Sequence, residues 1–263
     1  MTQTLEQPIG LASVERPLAG WGRYPVQRCR VYRPEKRAAL RVLATGGGER
    51  TIIARGMGRS YGDTSLNEGG AVADLTRLNR FLEFNEQTGE LRCEAGVTPD
   101  EIVEVMLPRG WFLPVTPGTK FVTVGGAIAN DVHGKNHHRD GTFCRWVSEL
   151  TLLTAQGETL ICRPEGENAD VFWATAGGIG LTGFIQEAVV RLQPVESAWV
   201  VVDYLRARDL EQSLAIMTET AGRYQYSVAW IDCLKGGAQL GRSVVMLGNH
   251  AGRDRLRPGQ DPF

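Results

Sequence analysis

No window of the chain reaches the roughly 18 consecutive apolar residues of a membrane-spanning helix. Residues 1–10 lack the basic start and apolar stretch of a secretory signal, so a cytoplasmic location is expected. Cysteine is sparse: Cys29, Cys93, Cys144, Cys162 and Cys233 are odd in number, far apart and never in a C-x-x-C pair. That pattern argues against a zinc centre or a disulfide framework and for reduced thiols. Excess charge of one sign is also missing, since 29 Lys and Arg stand against 30 Asp and Glu. No global field therefore recruits nucleic acid or an anionic membrane. The balance is uneven along the chain, with nine Lys/Arg to four Asp/Glu in residues 1–50 and the reverse ratio in residues 64–110. Two solvated faces of one fold, or a basic contact with an anionic partner, would each produce it.

Glycine, by contrast, is abundant. It supplies 32 of the 263 residues, above the usual share of about 7%, and it is clustered, which points to binding loops built from backbone. The length suits one large domain or one domain with part of a second. Residues 1–33, rich in Pro and Arg without periodicity, read as an N-terminal arm. Residues 35–44 predict a helix stopped by Gly46-Gly47-Gly48. Short strands follow over residues 51–55, 71–75, 81–84 and 91–94, the last two as a hairpin. Thr98-Pro99-Asp100-Glu101 is a capping-box signature for a helix to about residue 107. A strand over 111–115, a small-residue helix over 124–130, a hairpin over 147–162 turning at Gln156-Gly157, a helix over 169–176 and a strand over 184–192 complete an α+β block. Pro194 offers a boundary, so the expected division is 1–33, 34–194 and 195–263. Residues 199–205, 209–220, 224–233 and 243–247 read as the opening β-α-β-β of a second sheet. Three strands and a helix are too few to close it, so this last unit is expected to be incomplete.

Four constellations carry chemistry. Arg55-Gly56-Met57-Gly58-Arg59-Ser60-Tyr61-Gly62-Asp63 directly follows a strand, and its glycines allow successive N–H groups to converge on an anion such as a pyrophosphate. Pro117-Gly118-Thr119 and Thr123-Val124-Gly125-Gly126-Ala127-Ile128-Ala129-Asn130 offer either a helix start with open N–H groups for phosphate or close helix–sheet packing. His133-Gly134-Lys135-Asn136-His137-His138 has three His but no carboxylate or Cys at ligand spacing, so a polar active-site loop is expected and a metal is not. Gly178-Ile179-Gly180-Leu181-Thr182-Gly183 matches G-x-G-x-x-G as a string, yet it follows a helix and opens a strand. That is the reverse of the dinucleotide fingerprint and excludes a Rossmann NAD site. No G-K-[ST] marks a P-loop.

Taken together with Phe172-Trp173-Ala174-Thr175, these motifs resemble the decaprenylphosphoryl-ribose 2-oxidase family, flavoenzymes of the vanillyl-alcohol oxidase class. The resemblance runs from Gly20 to about Gly248, and H-G-K-N-H-H is its most specific piece. It implies an α+β fold: a PCMH-type FAD-binding domain of two α+β subdomains, then an antiparallel-sheet substrate domain of which this chain holds the start. By matched position it puts Ala54, Arg55, Gly56, Met57, Gly58, Arg59, Ser60, Tyr61, Gly62, Asp63 and Thr64 around the FAD pyrophosphate. Gly118, Thr123, Val124, Gly125 and Gly126 would lie along the ribityl chain and flavin, Asn130, Asp131, Val132 and His133 at the ring, and Ile185 beside the adenosine. Relatives with covalent FAD carry His where this chain has Arg59, so non-covalent FAD is implied. The implied reaction oxidises the ribose 2-hydroxyl of a polyprenyl-phosphate sugar, with His133, Lys135 and Tyr61 as the catalytic candidates. A short-chain reductase partner and peripheral membrane contact accompany that reading. The alternatives are an aldonolactone or alditol oxidase and a truncated, non-catalytic flavin-binding chain.

Overall fold

The computed structural model describes residues 11–45, 49 and 51–263. The helix stop expected at Gly46-Gly47-Gly48 lies outside them, as do residues 1–10. The chain opens with β1 (Ser13–Leu18) and β2 (Gln27–Tyr32), passes through α1 (Arg37–Ala44), and continues to β3 (Ile52–Arg55) and β4 (Ala71–Asp74). These four strands form one sheet in the order β1-β2-β4-β3, antiparallel only between β1 and β2. The described part of residues 1–33 is therefore sheet rather than an arm. Cys29 and Val31 alternate inward from β2 and are buried against Val72, a two-residue period too short to stand out among the arginines. Leu40 and Leu43 of α1 are buried against Tyr32, Ala73, Leu153 and Phe184, a burial worth about 1.5–3 kcal/mol for each side chain. Leu153 and Phe184 belong to the next sheet, so α1 joins the two.

That sheet begins with the hairpin β5 (Phe81–Asn85) and β6 (Glu90–Glu94). Asn85 Oδ1 accepts from the amides of Gln87 and Thr88 at its turn, and Gly89 closes it with φ +73°. Then come α2 (Pro99–Met106), the short β7 (Trp111–Phe112), α3 (Val124–Ala129), α4 (His137–Asp140), the hairpin β8 (Val147–Leu153) and β9 (Thr159–Cys162), and α5 (Ala169–Thr175). The central strand β10 (Phe184–Arg191) completes the antiparallel order β5-β6-β10-β8-β9, while β11 (Gln193–Pro194) pairs with β7. The capping box at α2 forms as expected: Thr98 Oγ1 accepts from the Glu101 amide, and the Glu101 carboxylate accepts from the Thr98 amide. Ile102, Met106, Ala127, Ile128 and Phe172 bury the helical faces on this sheet. The strand expected over 111–115 is shorter, because only Trp111 and Phe112 find a partner in β11.

The last stretch holds β12 (Val200–Ala207), α6 (Leu210–Thr220), β13 (Tyr226–Ile231) and β14 (Ser243–His250). They form an antiparallel sheet in the order β12-β14-β13. Ile216 and Met217 of α6 pack on one face against Val245, Leu247 and Ala229. The other face carries Val200, Val202, Tyr226, Val228 and Met246, and looks toward the first block across a groove. Among the described residues no helix is long and apolar enough to cross a membrane.

Candidate functional site

A cavity of about 510 Å³ opens where the two larger sheets meet, within the range of roughly 300–1,000 Å³ usual for ligand pockets. Most of residues 54–65 line it, together with parts of 117–126 and 129–133 and with Leu75, Ala95, Ile179, Gly180, Gly183 and Ile185. The first loop is braced from outside. Trp21 N donates to Ser60 O at 2.7 Å, and a Cβ on Gly20 would meet Ser60 O at 2.4 Å. Arg55 is consumed in bracing as well, donating to Ala19 O at 2.6 Å and Ser65 Oγ at 2.9 Å. Burial lowers the pKa of this guanidinium from its usual value. Arg59 donates from Nε to Phe121 O at 3.1 Å and stacks 5.2 Å from the centre of the Trp21 ring. The loop after residue 55 and the loop before α3 are thereby drawn together, so closely that a Cβ on Gly56 would meet Thr123 Oγ1 at 2.3 Å.

The start of α3 behaves differently from one of its two expectations. Val124 N donates to Val97 O at 2.7 Å and Gly125 N to Ala95 O at 2.8 Å, while Gly126 N donates to the N-cap Thr123 Oγ1 at 3.1 Å. These amides are not free for a phosphate. The small residues serve close packing instead, since a Cβ on Gly125 would meet the Ala95 Cβ at 2.9 Å. The α3 turn is a wall of the cavity, and its Gly and Ala bring the backbone up to the space.

Among the sequence candidates, Ala54, Arg55, Gly56, Met57, Gly58, Arg59, Ser60, Tyr61, Gly62, Thr64, Gly118, Thr123, Gly125, Gly126, Asn130, Val132, His133 and Ile185 line this cavity. Four lie elsewhere. Asp63 is exposed in a turn whose carbonyl accepts from Leu66 N. Val124 is fully buried in the core. Asp131, at φ +38°, uses its carboxylate to accept from the Cys144 amide at 3.0 Å. Lys135 lines the groove beneath β12, β13 and β14. Residues the sequence reading missed include Ser65, Val122, Ile179, Gly180 and Gly183. The G-I-G-L-T-G string was their signal: it is no dinucleotide fingerprint, yet its glycines do face a ligand space. Gly183, at φ +147°, sits where a Cβ would meet Leu153 O at 2.4 Å.

The groove has a volume of about 350 Å³ and an aliphatic lining, with Lys135, Thr116, Tyr204, Tyr226 and His250 as its polar members. Tyr226 Oη lies 3.0 Å from His250 Nε2. Burial pushes the Tyr226 hydroxyl up to about 12 and lowers the His250 imidazole from its usual value. His133 and His137 rings sit 5.4 Å apart, and among the described residues no group of three His, Cys, Asp or Glu is placed to hold a metal ion. The five cysteines are free, and burial raises the Cys93 thiol to about 12.

Among the described residues no carboxylate lines the first cavity; Arg55 and Arg59 supply cations there, and much of its wall is glycine backbone. That donor set fits an anionic dinucleotide cofactor and does not fit a metal. The architecture is that of a PCMH-type flavin-binding domain. Residues 33–163 match the FAD binding domain family, so this segment is an FAD binding domain and its cofactor is FAD. It is 42% identical over 245 residues to decaprenylphosphoryl-beta-D-ribose oxidase of Mycolicibacterium smegmatis, covering 91% of this chain and 53% of the relative. It is 40% identical over 160 residues to an uncharacterized protein in the mprA 5' region of Streptomyces coelicolor, covering 61% and 43%. With the human Delta(24)-sterol reductase it shares 29% identity over 151 residues, covering 57% and 29%. The chain thus spans about half the length of these relatives or less.

Proposed function

We propose that the protein is an FAD-dependent oxidoreductase that oxidises a secondary hydroxyl of a sugar, the ribose 2-hydroxyl of a polyprenyl-phosphoryl ribose. The observation that carries this reading is a shared wall: His133 lines the cavity fit for the cofactor, and Lys135, two residues on, lines an adjoining aliphatic groove. A sugar between a flavin and a lipid-phosphate tail needs those two surfaces side by side. The oxidase of M. smegmatis, by its name, acts on such a sugar.

Residues 55–64 would cradle the pyrophosphate, and Thr123, Gly125 and Gly126 would back the ribityl chain. Arg59 stands where covalent relatives carry His, so FAD is held without a bond to the protein. Bound FAD supplies a two-electron acceptor for the hydride that leaves the sugar carbon. His133 would take the hydroxyl proton, Tyr61 would cover the reacting face, and Lys135 would hold the phosphate in the groove. The alcohol thereby loses a proton and a hydride and becomes a ketone. A separate reductase of the short-chain class would return the ketone to the opposite alcohol, and a lipid-linked substrate would bring the enzyme to a membrane surface. Residues 195–263 supply the substrate-facing part.

Anaerobic mixing of the purified protein with polyprenyl-phosphoryl ribose tests the reading. Bleaching of the flavin absorbance is expected with this sugar and not with a free sugar lactone. The reverse preference would move the protein to the aldonolactone oxidases, and unchanged colour with every sugar would contradict an oxidase altogether.

A further inference from the structure

The wall between the cavity and the groove is held from behind by a polar network that neither ligand space uses. Residues 133–135 lie flush against residues 114–118, so that a Cβ on Gly134 would meet Thr116 O at 2.6 Å. Asn136, fully buried, donates from Nδ2 to Pro114 O at 2.6 Å and to Asp140 Oδ2 at 2.7 Å. The same Asp140 oxygen accepts from Gln225 Nε2 at 3.2 Å. Gln225 continues to Gln193 Oε1 at 3.1 Å; its own amide donates to Asn249 Oδ1 at 2.7 Å. Beside this bridge, Ser227 N donates to Lys135 O at 2.9 Å and His138 Nε2 lies 3.2 Å from Tyr224 O. One carboxylate oxygen therefore ties the loop of the wall to the edge of the three-stranded sheet.

We propose that Asp140 is a positioning residue: by gripping Asn136 on one side and Gln225 on the other, it sets where His133 and Lys135 stand in their two spaces. Bonds to a charged acceptor are the stronger kind, and this acceptor holds both partners. The inference rests on the oxidase reading only for its kinetic consequence. Its structural consequence is independent of turnover.

Hydrogen exchange of the flavin-loaded full chain, read peptide by peptide, is the test, with Asp140→Ala and Asp140→Asn as variants. The Asn side-chain oxygen can accept both bonds, whereas Ala accepts neither. Asp140→Ala is expected to speed exchange across residues 133–140 and 225–231 by about 10- to 100-fold while residues 184–191 keep their protection. Flavin content should stay the same, flavin reduction at saturating sugar should slow by a similar factor, and Asp140→Asn should restore both. Unchanged exchange in those two segments would overturn the proposal. So would a loss of protection spread evenly over the molecule that Asp140→Asn does not repair. Should Asp140→Ala fail to fold, Gln225→Leu removes the sheet-side bond to Asp140 together with the bond to Gln193, leaves the Asn136 bond in place, and is judged by the same two outcomes. A wild-type chain that binds flavin but is bleached by no sugar would overturn the oxidase reading and leave the exchange comparison standing.

Discussion

Gly56 and Gly62 belong to the same loop and look interchangeable in sequence, but they meet different surroundings. A methyl group on Gly56 would strike Thr123 Oγ1 at 2.3 Å, whereas one on Gly62 would meet nothing within 4 Å. Thr123 cannot swing away without giving up the cap it provides to Gly126 N. Gly56→Ala is therefore expected to cost about 1–3 kcal/mol of overpacking and to weaken FAD binding, with Gly62→Ala close to wild type in stability. Thermal unfolding and a flavin-fluorescence titration of the two variants check this; equal behaviour would mean that the loops are not held in contact. His250 gives a second residue-scale test. Burial lowers its pKa below the usual 6.5, so the unfolded chain binds its proton more readily than the folded one. Its contribution to stability is fully present above the unfolded value and is lost as pH falls through that value toward the folded one. His250→Gln should flatten this part of the stability profile, measured as melting temperature between about pH 5 and 8. An unaltered slope would count against a buried neutral imidazole.

Local signals within elements carried over well, and signals that depend on a distant partner did not. The capping box at Thr98 and Glu101 was legible because all its atoms lie within four residues. Thr98→Ala should cost about 0.5–2 kcal/mol in denaturant unfolding and leave FAD affinity unchanged, since α2 does not reach the cavity. A fall in flavin affinity would show that α2 sets the site from a distance. The hairpin turns at Gly89 and Gly157 were legible for the same local reason. By contrast, β1 and β2 were read as an arm because their pairing with each other and with β4 lies outside any local window. Open amides and close packing stayed equal alternatives for α3 because Ala95 and Val97, which engage its amides, lie about thirty residues earlier. Most candidate cofactor residues were legible as glycine clusters. Ile179, Gly180 and Gly183 were passed over because the string they form is read for a helix, and here it leads into β10.

At the scale of the molecule, two sheets joined by the helix α1 make the cofactor cavity where they meet, and a third, smaller sheet lines the groove beside it. An ion pair fastens α1 to the second sheet, where Arg37 meets Glu187 of β10, and within that sheet Arg92 of β6 meets Glu149 of β8 at 2.8 Å. The wall segment 133–140 separates the two spaces, with residue 133 at the cavity, residue 135 at the groove and Asp140 anchored to the small sheet. In the proposed reading this cavity holds FAD without a covalent bond. The most direct measurement is the visible spectrum of the purified protein, taken before and after denaturation and filtration. Flavin absorbance bands that pass wholly into the filtrate are predicted. A folded but colourless protein, or colour that stays with the denatured chain, would contradict it.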